Sequence, residues 1–239
     1  MGGTSPALKK VLPNGSKQAF LWSDNQHTLE QSTQEFIRSN RKAKPMFINQ
    51  FVDEGLGNSS FLIASEETGL AAVLDPQRDV DRYLQTAEGL GLRLVYSLDT
   101  HLHNDFISGS RELAAQAGVQ VCASAEAELG FEHLPLQDNQ VIQLGDLSFR
   151  VLTTPGHTPE HISFSLTEAG KKAPSALFTG GALMVGGAAR TDLLGATQTE
   201  PLAHDLYRSI HHKLLHFPDD VAIYPTHGAG SFCAAPAVA

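Results

Sequence analysis

The sequence predicts a layered α/β (α+β) architecture, sheets covered by helices, over residues 46–239, with residues 1–45 as a separate N-terminal extension. Three observations lead there. From Pro45 onward, runs of strand length and composition alternate with helical stretches, and each strand-rich half is followed by a helix. Gly, Pro and Asn punctuate these runs at their ends. Apolar residues fill 41% of the 239 positions and charged residues 18%, so the chain can bury a substantial core and lacks the composition of disorder.

Residues 46–52 and 59–65 read as a hairpin joined through Gly55, Gly57 and Asn58, which favour a turn. A third, largely buried strand covers 70–76 and is stopped by Pro76; a helix over 80–91 closes on glycine. Residues 92–100 form a strand, 105–118 a helix and 119–124 another strand. β-type runs follow at 139–145, 147–156, 161–168 and 175–180, then a helix at 201–217 and a last short strand at 221–228. There is no internal repeat.

Seventeen basic and 26 acidic side chains give a net charge of −9, which repels phosphate backbones and anionic lipid, so no nucleic-acid partner and no membrane association are expected. No apolar run approaches the roughly 20 residues that span a bilayer. Cys122 and Cys233 are too few for a disulfide framework and suit a reducing compartment, the cytoplasm or, in a eukaryote, the mitochondrial matrix. Residues 1–45 are locally basic, with seven basic and three acidic side chains. That fits a transit peptide only loosely, because a long amphipathic Arg-rich face is missing. Pro6 stands where a myristoylation pattern needs Ser or Thr.

Histidines at strand ends carry the chemistry. In Thr100–Phe106, an extended chain puts His101, His103 and Asp105 on one side and turns Leu102 into the core, an arrangement of metal ligands. Taken alone, the segment also fits two polar histidines on a loop. His157 follows the Pro155-Gly156 break of a second strand and supplies a third nitrogen. His227, in a Pro-Thr-His-Gly turn after the last strand, repeats the device.

HxHxD after a strand, then GHT, then a TG turn, then PTHG, in that order, resemble the metallo-β-lactamase fold over roughly residues 46 to 232. The resemblance implies a four-layer αββα sandwich with a metal site at one edge of the sheets. THLHNDFISG, TPGHTPEHISF, ARTDL and YPTHGAGSFC are most similar to the persulfide dioxygenase branch, especially its members fused to rhodanese domains. That similarity implies one Fe(II) per chain and oxidation of glutathione persulfide, or a similar low-molecular-weight persulfide, by dioxygen to sulfite. It also implies a rhodanese-type sulfurtransferase as partner, and a homodimer is compatible with it. Arg190 and Asp192 match the RTD element of that branch, where the arginine orients an anionic substrate by forked hydrogen bonds; a salt bridge between near neighbours is the plain alternative.

Two departures narrow the chemistry. Phe106 stands where the wider fold has a further histidine, and Gly181 where it has a ligating aspartate. A two-metal hydrolase is thereby disfavoured, leaving His101, His103 and His157 as ligands and Asp105, Arg190 and His227 as catalytic or supporting groups. Asp105 has two readings, orienting a ligand histidine or capping the following helix. Zn(II) in a glyoxalase II-like thioester hydrolase is the alternative, as is a degenerate binding domain. If the absent carboxylate is the defect, Gly181→Asp should gain metal affinity or activity. His204, His211, His212 and His216 are expected on a solvated helix face, and Cys233 as a small buried hydrophobe rather than a redox partner.

Overall fold

Strand β2 (Asn58–Ser65) is buried at all eight positions because both its faces are covered. Its alternate residues part: Phe61 and Ile63 face a layer between two sheets, while Leu62 and Ala64 face a layer under helices. The first sheet runs β1–β2–β3–β4–β5–β6, with β1 (Phe47–Asp53), β3 (Leu70–Leu74), β4 (Arg93–Leu98), β5 (Gln120–Ser124) and β6 (Leu134–Leu136). The second runs β11–β10–β9–β8–β7, with β7 (Val141–Leu144), β8 (Leu147–Thr153), β9 (Ile162–Glu168), β10 (Ala176–Gly180) and β11 (Ala222–Pro225). The structure, a computed structural model, describes residues 46–228 and 231–234; the extension read over 1–45 lies outside the described residues.

Phe61, Leu74 and Leu98 from one sheet pack on Phe149, Phe164 and Phe178 from the other. Helices α1 (Asp81–Gly89) and α2 (Ser110–Ala117) cover the outer face of the first sheet through Tyr83 and Leu113. Helix α3 (Ala196–His212) covers the second through Leu206, which packs with Leu152. The result is the four-layer αββα sandwich.

Three elements differ from the sequence expectation. Helix α2 starts at Ser110 rather than at residue 105: Ser108 pairs with Gln77 and Gly109 N–H donates to the Pro76 carbonyl at 2.7 Å, so the chain there is bonded to the segment after β3, at a spot where a side chain on 109 would sit 2.3 Å from the Gln77 carbonyl. Helix α3 starts five residues before Pro201, which therefore lies inside it and forgoes one internal hydrogen bond. Strand β6 was not expected; Pro135 fits there because β6 is a sheet edge. Among the described residues no helix is long and apolar enough to cross a membrane.

Candidate metal centre

His101 follows β4, His157 follows β8 and His227 follows β11, each where a strand has just released the chain. Backbone hydrogen bonds join the two sheets at this end. Ser59 N–H donates to the Thr226 carbonyl (2.7 Å) and Ile162 N–H to the Thr100 carbonyl (2.8 Å). All three imidazoles are buried, and their ligand atoms lie within 4.8 Å of one another.

Hydrogen bonds on the far side of each ring assign its tautomer. His157 Nδ1 is 2.9 Å from the Arg190 carbonyl, which only accepts, so Nδ1 carries the proton. His227 Nδ1 is 2.9 Å from Asn58 Oδ1, and the amide is oriented by its Nδ2, which donates to Asp105 Oδ2 at 2.8 Å. His101 Nδ1 is 2.8 Å from Thr100 Oγ1, whose own proton goes to Asp75 Oδ2. Every Nε2 is therefore an unprotonated lone pair. His101 Nε2 and His227 Nε2 face each other at 3.2 Å, an arrangement that repels unless a cation lies between them. His157 Nε2 is buried without a partner. Three neutral imidazoles with tautomers fixed from behind are a donor set for Zn(II) or Fe(II).

The sequence-named residues sort unevenly. The structure groups His227 with His101 and His157, whereas His103, expected as the third ligand, groups with Asp75 and Asp99 and with Asp105 and His227. The reason is that β4 ends at Leu98 and the chain bends after Thr100, so the two-residue alternation lapses. Leu102 accordingly points outward, 47% exposed, instead of into the core. His103 turns to Asp75, its Nε2 3.3 Å from Oδ1, and Phe106 stacks on it at 4.1 Å. Asp105 does not cap α2; it accepts from Asn58 and lies 3.7 Å from His227 Nδ1. The Arg190 fork is filled by Asp192, at 2.5 and 2.8 Å, and what Arg190 brings to the centre is its backbone carbonyl.

Tyr224 stacks on Phe178 as core packing. Cys233 is buried, its thiol pushed up to about 12 by burial and by Asp105. The four α3-side histidines are exposed.

Sequence reasoning missed Asn58, Thr100, Asp75 and His161. His161 Nε2 accepts from Gly181 N–H at 3.0 Å, and its ring stacks on His101 at 5.1 Å, so its lone pair is spent holding the loop under His157. Its position four residues after His157, at the start of β9, was the available signal.

Burial, reinforced by the neighbouring imidazoles, holds His101 and His161 well below the usual 6.5, lowers His157, and takes His227 down to about 3. In the unfolded chain these four take up protons as pH falls through 6.5 while the fold keeps them neutral, so the folded state loses stability on acidification. His103, whose burial is outweighed by Asp75, and Asp99, raised by burial to about 6, act in the opposite sense, two groups against four. The metal-free protein is therefore expected to melt lower at pH 5 than at pH 7, by roughly 2–4 °C for each kcal/mol lost, as read by calorimetry. An unchanged or higher melting temperature at pH 5 would contradict it.

Two stacked sheets under outer helices, with histidines converging at the strand ends, define a protein of the metallo-β-lactamase fold. No protein-family model matches the chain. It is 31% identical over 194 residues to the mitochondrial persulfide dioxygenase ETHE1 of Homo sapiens, covering 79% of this chain and 70% of that one. It is 34% identical to the hydroxyacylglutathione hydrolase GloC of Haemophilus influenzae, over 66% of this chain and 80% of the other. A crystal structure of a metallo-β-lactamase from Staphylococcus aureus subsp. aureus COL aligns with a TM-score of 0.73 and 39% identity over 80% of this chain; this chain spans 59% of that longer one. The chain belongs to the metallo-β-lactamase superfamily, in its persulfide dioxygenase branch.

Proposed function

We propose that this chain is a mononuclear Fe(II) persulfide dioxygenase in which His101, His157 and His227 hold the metal. It would convert glutathione persulfide, or a similar small persulfide, with dioxygen and water to the thiol and sulfite. The observation that supports this most is the set of three Nε2 lone pairs converging on one point, with Phe106 and Gly181 offering no side-chain donor at two positions where the wider fold has ligands. Iron bound there supplies open coordination positions and redox chemistry. Thr100, the Arg190 carbonyl and Asn58 keep the three ligands neutral and aimed. Asp105 Oδ1, buried and without a partner, is an available acceptor for the persulfide proton. A cavity of about 320 Å³ beside His101, walled by Phe106, Ile107, Leu129 and Phe131 with Arg111 over the Phe131 ring, suits the body of the thiol.

Oxygen consumption by anaerobically iron-loaded protein given glutathione persulfide tests this, with His157→Ala as control. Uptake that falls at least about a hundredfold in the variant is the expected result. No uptake despite bound iron would overturn it. The similarity to a hydroxyacylglutathione hydrolase and the absence of a carboxylate from the trio favour a second reading, a zinc centre that activates water against a glutathione thioester. Thioester turnover with zinc and none with iron would decide for that reading.

A further inference from the structure

Beside the three-histidine centre a second set of ligand atoms converges. Asp75 at the end of β3, Asp99 after β4 and His103 each offer one atom, and these lie within 4.8 Å of one another. Asp75 is fully buried, Asp99 is 8% exposed and the His103 side chain 1%. Neither ring nitrogen of His103 makes a hydrogen bond; the 3.3 Å approach of its Nε2 to Asp75 Oδ1 is a close contact without hydrogen-bond alignment. Its Nδ1 has no partner and its Nε2 meets only the Asp75 carboxylate, so the buried ring keeps hydrogen-bonding capacity that nothing in the fold takes up.

Two carboxylates held together away from water also need positive charge. Asp75 accepts from Thr100 N–H and from the Thr100 and Thr226 hydroxyls, and Asp99 from the Ser108 and Ser110 hydroxyls. Those donors are neutral and leave lone pairs on both carboxylates. Among the described residues no Lys or Arg forms an ion pair with either. His103 also lies near Asp105 and His227, but His227 Nδ1 is bonded to Asn58 and its Nε2 faces His101 in the three-histidine centre, which leaves His227 no atom for a second ion. Asp99 and His103 both line the cavity beside His101, which gives an ion a way in.

We propose that Asp75, Asp99 and His103 form a second divalent-metal site, distinct from the three-histidine centre and independent of the reaction assigned to it. Two carboxylates and one imidazole make a harder set than three imidazoles, so the site prefers an oxygen-seeking ion such as Mn(II) over one drawn to nitrogen. An ion held there faces the cavity and attracts an anionic group entering it.

The test fills the three-histidine centre with one equivalent of Zn(II) and titrates Mn(II), following free Mn(II) by electron paramagnetic resonance and both metals by elemental analysis after gel filtration. One Mn(II) per chain, bound at least about tenfold more weakly by Asp99→Asn while zinc is retained, is the expected result. No stoichiometric Mn(II), or binding unchanged in Asp99→Asn, overturns the proposal and leaves His103 as a protonated counter-ion of the two carboxylates. If Asp99→Asn fails to retain zinc, His103→Gln is read by the same two criteria.

Discussion

Gly181→Asp is expected to weaken metal binding by at least about tenfold rather than restore a lost ligand. A Cβ at 181 would lie 2.6 Å from His157 Cδ2 and 2.9 Å from its Cγ, with Ala189 Cβ at 3.1 Å on another side. The ring cannot simply swing away, since its Nδ1 is tied to the Arg190 carbonyl. Nor can the backbone at 181 readily retreat: its N–H is bonded to His161 Nε2 and its carbonyl accepts from Ala189 N–H. Gly181 is therefore a site of close approach, and a carboxylate added there displaces the nitrogen it was meant to join. A Zn(II) titration against a chromophoric chelator, with near-ultraviolet circular dichroism to report the fold, reads the effect. A variant that binds zinc more tightly would restore the expectation raised by the sequence.

Asn58→Ala should cost about 10–100-fold in metal affinity although Asn58 touches no metal. Its Oδ1 accepts from His227 Nδ1 and from Ser231 Oγ at 3.0 Å, and its Nδ2 donates to Asp105. Truncation frees the His227 proton to move to Nε2, which removes the lone pair from the trio. It also leaves buried polar groups unpaired, a penalty of about 1–3 kcal/mol in folding. The comparison that isolates the tautomer effect is thermal stability with and without zinc. A loss confined to the metal-free state, with affinity intact, would mean that Asn58 only packs.

The metal centre was partly legible in the sequence. His101 follows a run of strand residues directly, and His157 and His227 follow strand runs broken at Pro155-Gly156 and Pro225; that local pattern is enough to mark them. The exchange of His103 for His227 was not legible, because alternation holds only while the chain stays extended and it bends after Thr100. The partners that assign the tautomers were not legible either. Asn58 is 169 residues from His227, and Arg190 reaches His157 through a carbonyl that every residue possesses.

By itself the sequence determined the layered architecture, the strand ends that carry the histidines, and the absence of side-chain donors at 106 and 181, since periodicity and residue chemistry are local properties. Only the tertiary structure decided which imidazoles share a centre, that position 181 has no room for a side chain, and that Asp75 and Asp99 meet at His103. Beyond a strand end, side-chain direction is set by whichever distant backbone or hydroxyl group packing brings within hydrogen-bond reach, and at this edge the two sheets supply those groups to each other.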